Sequence, residues 1–514
     1  MLLLSLLTSL ALVGVDASPT IKLGNTKLVG LDITLLGVDF FGGIPFAEPP
    51  LGNLRLQPPV LKPIPDQGRL VTSLTLNASS FGPACLQTAV PVGTMSEDCL
   101  TINIYRPTGT PADAKLPVVD FNFSPHLAGR LTTYSGGFDS GLSTIFNGSG
   151  IVAQSVARGT PVVYVNFNYR LGPLGFPQGQ EADNRGSLNL GIKDQLAALE
   201  WVTVFGESAG SVMTSILFLN SPIKTFARAA IFESGSQATV ALFTPERREG
   251  NWETFVGGVA SCASTEAFPW DPVIDGTGGL IPDLPSVLFS RGHFSRLPFM
   301  AGTNLDEGTL FTTHAINSSD EIVASITAMN TPSVSPATLE CSVEKLLQLY
   351  PDIPELGSPF NTGNETFGLS SQYKRAAAMV GDLDFASQRR LWIETAANAG
   401  VPTWGYLFTQ PQPNSSPAQG IFHGSEVTFV YGAPSDNSTS ALNISRLMTD
   451  YWVSFATSLT PNDGLGIPRP EWAQFTPNNK AVIQLNGANL TMIPDDFRAE
   501  QIAFINSNPS IWHH

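Results

Sequence analysis

Apolar positions along this chain alternate between two spacings. Val162 to Val165, directly after Pro161, form a continuous apolar run of strand length. From Gly191 to Val202, apolar residues recur at Ile192, Leu196, Leu199 and Val202, one side of a helix. Val202 to Phe205 is then strongly β-like, and Ser211 to Leu217 reads as a helix. Leu116 to Val119 and Leu297 to Ala301 are further short runs of strand character. Strands alternating with helices predict an α/β fold, a large mostly parallel sheet with helices on both faces. No internal repeat interrupts this alternation. Proline-rich stretches near 45–65 and 402–417 read as rigid surface loops rather than linkers. Residues 18–514 are therefore expected to form a single domain with insertions.

The first seventeen residues follow a different pattern. Apolar residues run from Leu2 to Val15, and the small-residue site Val15-Asp16-Ala17 follows. This predicts a signal peptide over 1–17, although no Lys or Arg precedes the apolar run. Acceptor sequons for N-glycosylation stand at Asn77, Asn122, Asn147, Asn317, Asn364, Asn414, Asn437, Asn443 and Asn489. Pro125 and Pro417 weaken those at Asn122 and Asn414. Together they predict a secreted, extracellular glycoprotein.

Composition narrows the partners. The 514 residues carry a net charge of −16, which repels phosphate backbones and argues against nucleic acid. Apolar residues make up 42%, enough for a large core. Among four cysteines, Cys85 and Cys99 enclose a short loop suited to a disulfide in an oxidising compartment. Cys262 and Cys341 either pair with each other or stay free.

One motif carries chemistry. Gly206-Glu207-Ser208-Ala209-Gly210 matches Gly-x-Ser-x-Gly, which is weak alone because chance supplies it often. Here it lies between a strand pattern and a helix pattern, the context a nucleophile elbow requires. The glycines permit the sharp turn, and the helix N-terminus favours developing negative charge. A serine hydroxyl needs a base, and the chain has six histidines. In this fold the order is Ser, acid, His. His513 and His514 end the chain, where disorder is common. His423 and His314 remain open as the base. Asp306 and Glu307, in the loop after Leu297 to Ala301, remain open as the acid.

These motifs converge on a family. The chain resembles the fungal type-B carboxylesterases and lipases, relatives of the cholinesterases, above all the lipase and sterol-esterase branch. The matching segments are Phe41-Gly42-Gly43-Ile44-Pro45-Phe46-Ala47-Glu48-Pro49-Pro50, Ser96-Glu97-Asp98-Cys99-Leu100-Thr101-Ile102-Asn103, Asn168-Tyr169-Arg170-Leu171-Gly172, Gly206 to Gly210, Asn304 to Gly308, and Phe422-His423-Gly424-Ser425-Glu426. The resemblance implies the α/β-hydrolase fold and a Ser208, His423, Glu307 triad. It implies an oxyanion hole from the N–H groups of Gly136, Gly137 and Ala209. It also implies a Cys85–Cys99 disulfide and structural ion pairs Arg55–Glu97 and Arg170–Asp194. The implied reaction is hydrolysis of small-molecule or lipid esters through an acyl-enzyme, with no metal or cofactor. Only Leu86 to Asp98 lie between the two cysteines, so a short lid, an open gorge and transient contact with a lipid interface are expected.

Three departures stand out. Asp120 to Tyr134 looks inserted before the oxyanion loop, and Ser135 stands where the family has a third glycine. The helix ending near Val202 meets the nucleophile strand with no loop, so its last turns must unwind or the elbow is strained. The family sequence after Cys262 is shortened, which leaves Cys262 without its usual partner. The competing reading is a catalytically impaired hydrolase-fold binding protein, or a splice or gene-model variant of such an esterase.

Overall fold

The computed structural model describes residues 18–23, 25–62, 74–88, 90–111, 114–122, 137–199, 202–219, 221–257 and 269–514. The signal peptide expected over 1–17, Cys262, Gly136 and most of the segment expected to be inserted lie outside these residues.

Eleven strands form the main sheet. In chain order they are β1 (Leu31–Ile33), β2 (Val38–Pro45), β3 (Thr101–Pro107), β4 (Val118–Asn122), β5 (Val163–Phe167), β6 (Val202–Glu207), β7 (Ala227–Glu233), β8 (Phe299–Asn304), β9 (Thr403–Phe408), β10 (Ala481–Leu485) and β11 (Thr491–Pro494). Their spatial order is β11-β10-β9-β8-β7-β6-β4-β5-β3-β2-β1. The seven from β5 to β10 in that order are parallel, and antiparallel strands close both edges. Every residue of β8 and β9 is buried, as strands covered on both faces require.

Four helices matter for the site: α1 (Leu190–Ala198), α2 (Ala209–Leu217), α3 (Ser371–Val380) and α4 (Ser387–Asn398). All nine residues of α2 are buried, which places the helix beneath the sheet's cover and fixes its N-terminus. One large apolar core spans both sheet faces, and a second core of Ile322, Val343, Tyr373 and Trp512 packs beside it.

Two expectations need correction. The helix expected to Val202 ends at Ala198, and Leu199 is already extended at ψ 134°. Leu199 has therefore left the helix, and β6 begins at Val202. The stretch near 402–417 does not begin as a surface loop, because Thr403–Phe408 is the buried strand β9. Pro402 precedes the strand, where a missing N–H does no harm. Strand β4 also runs on to Asn122, into the segment expected to be inserted.

The two implied ion pairs form. Arg170 reaches Asp194 with Nε at 2.8 Å and Nη2 at 2.7 Å, both side chains buried. Arg55 grips Glu97 with two contacts of 2.6 Å at the surface. Cys85 and Cys99 are joined. Cys341 is free and exposed.

Candidate functional site

The site is assembled at the carboxyl ends of neighbouring parallel strands, where open sheets commonly bind ligands. β6 ends in Glu207 and leads directly through Ser208 into α2. Ser208 has φ 53° and ψ −125°, a conformation that costs an L-residue free energy and persists only when its surroundings enforce it. They do so here. The Ser208 N–H donates to the Glu233 carbonyl at 3.0 Å, and the Ser208 carbonyl accepts from the Val212 N–H at 2.9 Å. A Cβ at Gly206 would lie 2.5 Å from the Gly210 carbonyl carbon, so only glycine admits this turn. A Cβ at Gly235 would lie 2.6 Å from the Ser208 carbonyl oxygen.

His423 and Glu307 come from two loops stitched together. Asp306 and Phe422 form a parallel bridge, and the Ile421 N–H donates to Asp306 Oδ2 at 2.9 Å. Asn304 Nδ2 donates to the Phe422 carbonyl at 2.9 Å. The result places His423 Nδ1 2.6 Å from Glu307 Oε2. On the ring's other side, Nε2 lies 3.2 Å from Glu207 Oε1. Phe385 and Phe311 pack on the imidazole at centroid distances of 4.8 and 5.0 Å. Burial holds the His423 pKa down at about 3, favouring neutral imidazole.

Glu307 belongs to a set of four buried glutamates with Glu207, Glu233 and Glu426. Burial pushes Glu307 up to about 8, against hydrogen bonds from Ser234 Oγ at 2.6 Å and the Asn304 N–H at 2.7 Å. Burial and the charge of Glu307 likewise push Glu426 up to about 8. Glu207 is raised by burial and then by Glu426, Glu233 and Glu307. Burial raises the pKa of all four, and charges within the cluster raise those of Glu207, Glu233 and Glu426 further. Trp452 Nε1 donates to Glu233 at 2.6 Å, and Asn304 Nδ2 donates to Glu426.

Ser208 opens onto a cavity of about 620 Å³, whose wall includes Gly137, Ala209, Phe311 and Phe385. Gly137 has φ 45°, a left-handed conformation natural only to glycine. Ala209 is the first residue of α2, so its N–H has no partner within the helix.

Other candidates fall elsewhere. Asp306 does not face His423. It accepts hydrogen bonds from Ser358 Oγ and the Phe360 N–H, both at 2.8 Å, and ties three loops together. His314 is exposed, its ring edge-on to Tyr373. His514, set aside from sequence as a chain end, is buried and lines the cavity. Sequence reasoning also passed over Glu426, although it stands inside a quoted motif, and Ser234, which no motif marks.

Comparisons with known proteins identify the family of the chain. The model of the carboxylesterase family matches residues 17–262 and 251–505. Lipase 1 of Geotrichum candidum is 31% identical over 92% of this chain and 93% of its own length. A secreted triacylglycerol lipase of Gibberella zeae is 30% identical over 92% of this chain and 87% of its own. The crystal structure of EstA from Aspergillus niger superposes with a TM-score of 0.79 at 23% identity, covering 97% of this chain and all of that one. The chain belongs to the carboxylesterase family and is a carboxylic ester hydrolase of the α/β-hydrolase fold.

Proposed function

We propose that this is a secreted serine esterase of lipase type that cleaves small-molecule or lipid esters through an acyl-enzyme on Ser208. The observation that carries the reading is Ser208, held at positive φ on a strand-to-helix turn and open to the cavity beside Gly137 and Ala209. In the first half-reaction the Ser208 hydroxyl attacks the ester carbonyl and His423 Nε2 takes its proton. Nδ1–H donates to Glu307, which stabilises the imidazolium as it forms. The N–H groups of Gly137 and Ala209, with Gly136, receive the oxyanion, each donor worth about 3 kcal/mol in the transition state. His423 then protonates the leaving alcohol, and water repeats the sequence on the acyl-enzyme.

Export is supported by the sequons. The asparagines at 77, 147, 317, 364, 414, 437, 443 and 489 are all exposed, as glycan attachment requires. The names of relatives such as the secreted lipase of Gibberella zeae point the same way.

The test is covalent labelling with a fluorophosphonate probe, wild type beside Ser208→Ala. Wild type is expected to label and the variant not. Equal labelling, or none in either, would remove the mechanism and favour an inert hydrolase scaffold.

A further inference from the structure

The helical run from Ser371 to Asn398 is broken by a π-helical segment, Gly381–Ala386, between α3 and α4. Such wide turns are often retained at functional sites. This one packs against the loop of Glu307: a Cβ on Gly308 would lie 2.5 Å from the Gly381 nitrogen. Its residues divide by role. Asp382 is tied to Arg498 and Tyr350, at 2.7 Å each, and is structural. Phe385 packs on His423. Asp384 is different, because it lines the same cavity as Ser208.

Phe311, Phe385, Val380 and Ala376 line the cavity with Asp384, and the titratable groups that share it are Asp271, Glu321 and His514. Among the described residues its carboxyl has no ion pair and no hydrogen bond. The one arginine in the wall, Arg248, is bound to Asp271 at 3.1 Å. Burial alone pushes Asp384 up to about 8, so near neutral pH it is an acid that still carries its proton. A neutral carboxyl that lines the cavity can donate a hydrogen bond to what fills it. A plain alkyl chain would leave it unsatisfied, at a cost.

We propose that Asp384 is a specificity-determining residue: its carboxyl donates a hydrogen bond to an uncharged oxygen on the chain of the bound ester. The substrate class is then medium-chain esters that carry a keto, hydroxyl or ether oxygen, ahead of simple alkanoates. This rests on the reading of Ser208 as the nucleophile, since the cavity is the space beside it. Asp384 touches no reacting atom in this account; it selects which chain is held.

The experiment compares aryl octanoate with a series of oxo-octanoates differing in keto position. A keto oxygen only accepts, so it reports the donor alone. The wild type is expected to favour the best oxo ester by about tenfold in kcat/KM at neutral pH, the scale of one satisfied buried hydrogen bond. The preference should fade as pH passes about 8 and the proton is lost. Asp384→Asn, which keeps a donor that does not ionise, should retain it at all pH values. Asp384→Leu should abolish it. Dissociation constants for the same esters on Ser208→Ala, measured by calorimetry, read the preference without chemistry. Failure of turnover with preserved binding preference would therefore remove the nucleophile reading and keep this one. An equal preference in Asp384→Leu overturns the proposal. So does a preference for a trimethylammonium-bearing ester that grows with pH, which would make Asp384 a cation site.

Discussion

At Glu307 two opposing effects meet, and their balance is measurable. Burial raises its pKa, while the Ser234 hydroxyl and the Asn304 N–H lower it by donating to the carboxylate. In the proposed mechanism the ionised form is the one that stabilises an imidazolium on His423. Activity is therefore expected to rise with pH toward a midpoint near 8, because protonated Glu307 offers no counter-charge. Removing a donor to the carboxylate raises its pKa further. Ser234→Ala should shift that limb of the kcat/KM profile to higher pH by about one unit, the usual scale for one charge-assisted bond. An unmoved or lowered midpoint would show that Ser234 does not act on Glu307. Ser234 also illustrates what the residues alone did not reveal. It has φ 49° and follows β7 directly, but no motif marks it. The choice of Glu307 over Asp306 was likewise open on spacing. Adjacent carboxylates in one loop point to different neighbours, and only the fold decides which faces the histidine.

The elements were legible where the pattern was long and the environment uniform. β6 and α2 stand where the strand-turn-helix pattern placed them, because the pattern and the Gly-x-Ser-x-Gly turn agree. The end of α1 was not legible. Leu199 and Val202 continue the helical spacing, but tertiary pairing of β6 with β4 and β7 claims the chain first. β9 was obscured by the prolines around it. Farther along, element-to-element ties rest on charge that no periodicity reports. Asp495, just beyond β11, binds Arg389 of α4 at 2.5 and 2.8 Å and Arg390 at 3.0 Å. Burial alone would raise its pKa, but the two guanidinium groups outweigh it and pull the value down to about 2. A folded-state pKa below the unfolded one contributes stability above the unfolded value, which is lost as pH falls through the folded value. The contribution is about 2 kcal/mol, present at neutral pH and lost between about pH 4 and pH 2. Asp495→Asn leaves two arginines buried without a counter-charge and should cost about 3 kcal/mol or more in urea denaturation at neutral pH. The deficit should shrink at about pH 3, where the wild type also begins to lose the pair. A deficit independent of pH would assign the loss to packing instead.

Across the whole molecule, the short lid expected from the resemblance is the Cys85–Cys99 loop, and its ties to the fold bear on whether it can swing. The disulfide closes a separation of 14 residues, which in the chain-entropy model stabilises the fold by about 3 kcal/mol. Inside the loop, Gln87 donates to the Gly141 carbonyl and accepts from the Gly141 N–H, both at 2.7 Å. That pins the loop to the segment that follows Gly137. The Ala84 N–H donates to the Thr94 carbonyl, and the Ser96 N–H to the Ala84 carbonyl, which ties its far end. Glu97 is gripped by Arg55. The apolar side chains of this loop that face water, Leu86 and Val92, are already exposed at 38% and 85%. Interfacial activation needs an apolar flap that hides its surface in water and releases it on lipid. Among its described residues this loop has little left to hide, and it is tethered near both ends. Hydrolysis of a sparingly soluble ester is therefore expected to saturate smoothly as concentration crosses the solubility limit. A sharp rise in rate where the emulsion first forms would show that the loop swings despite these ties.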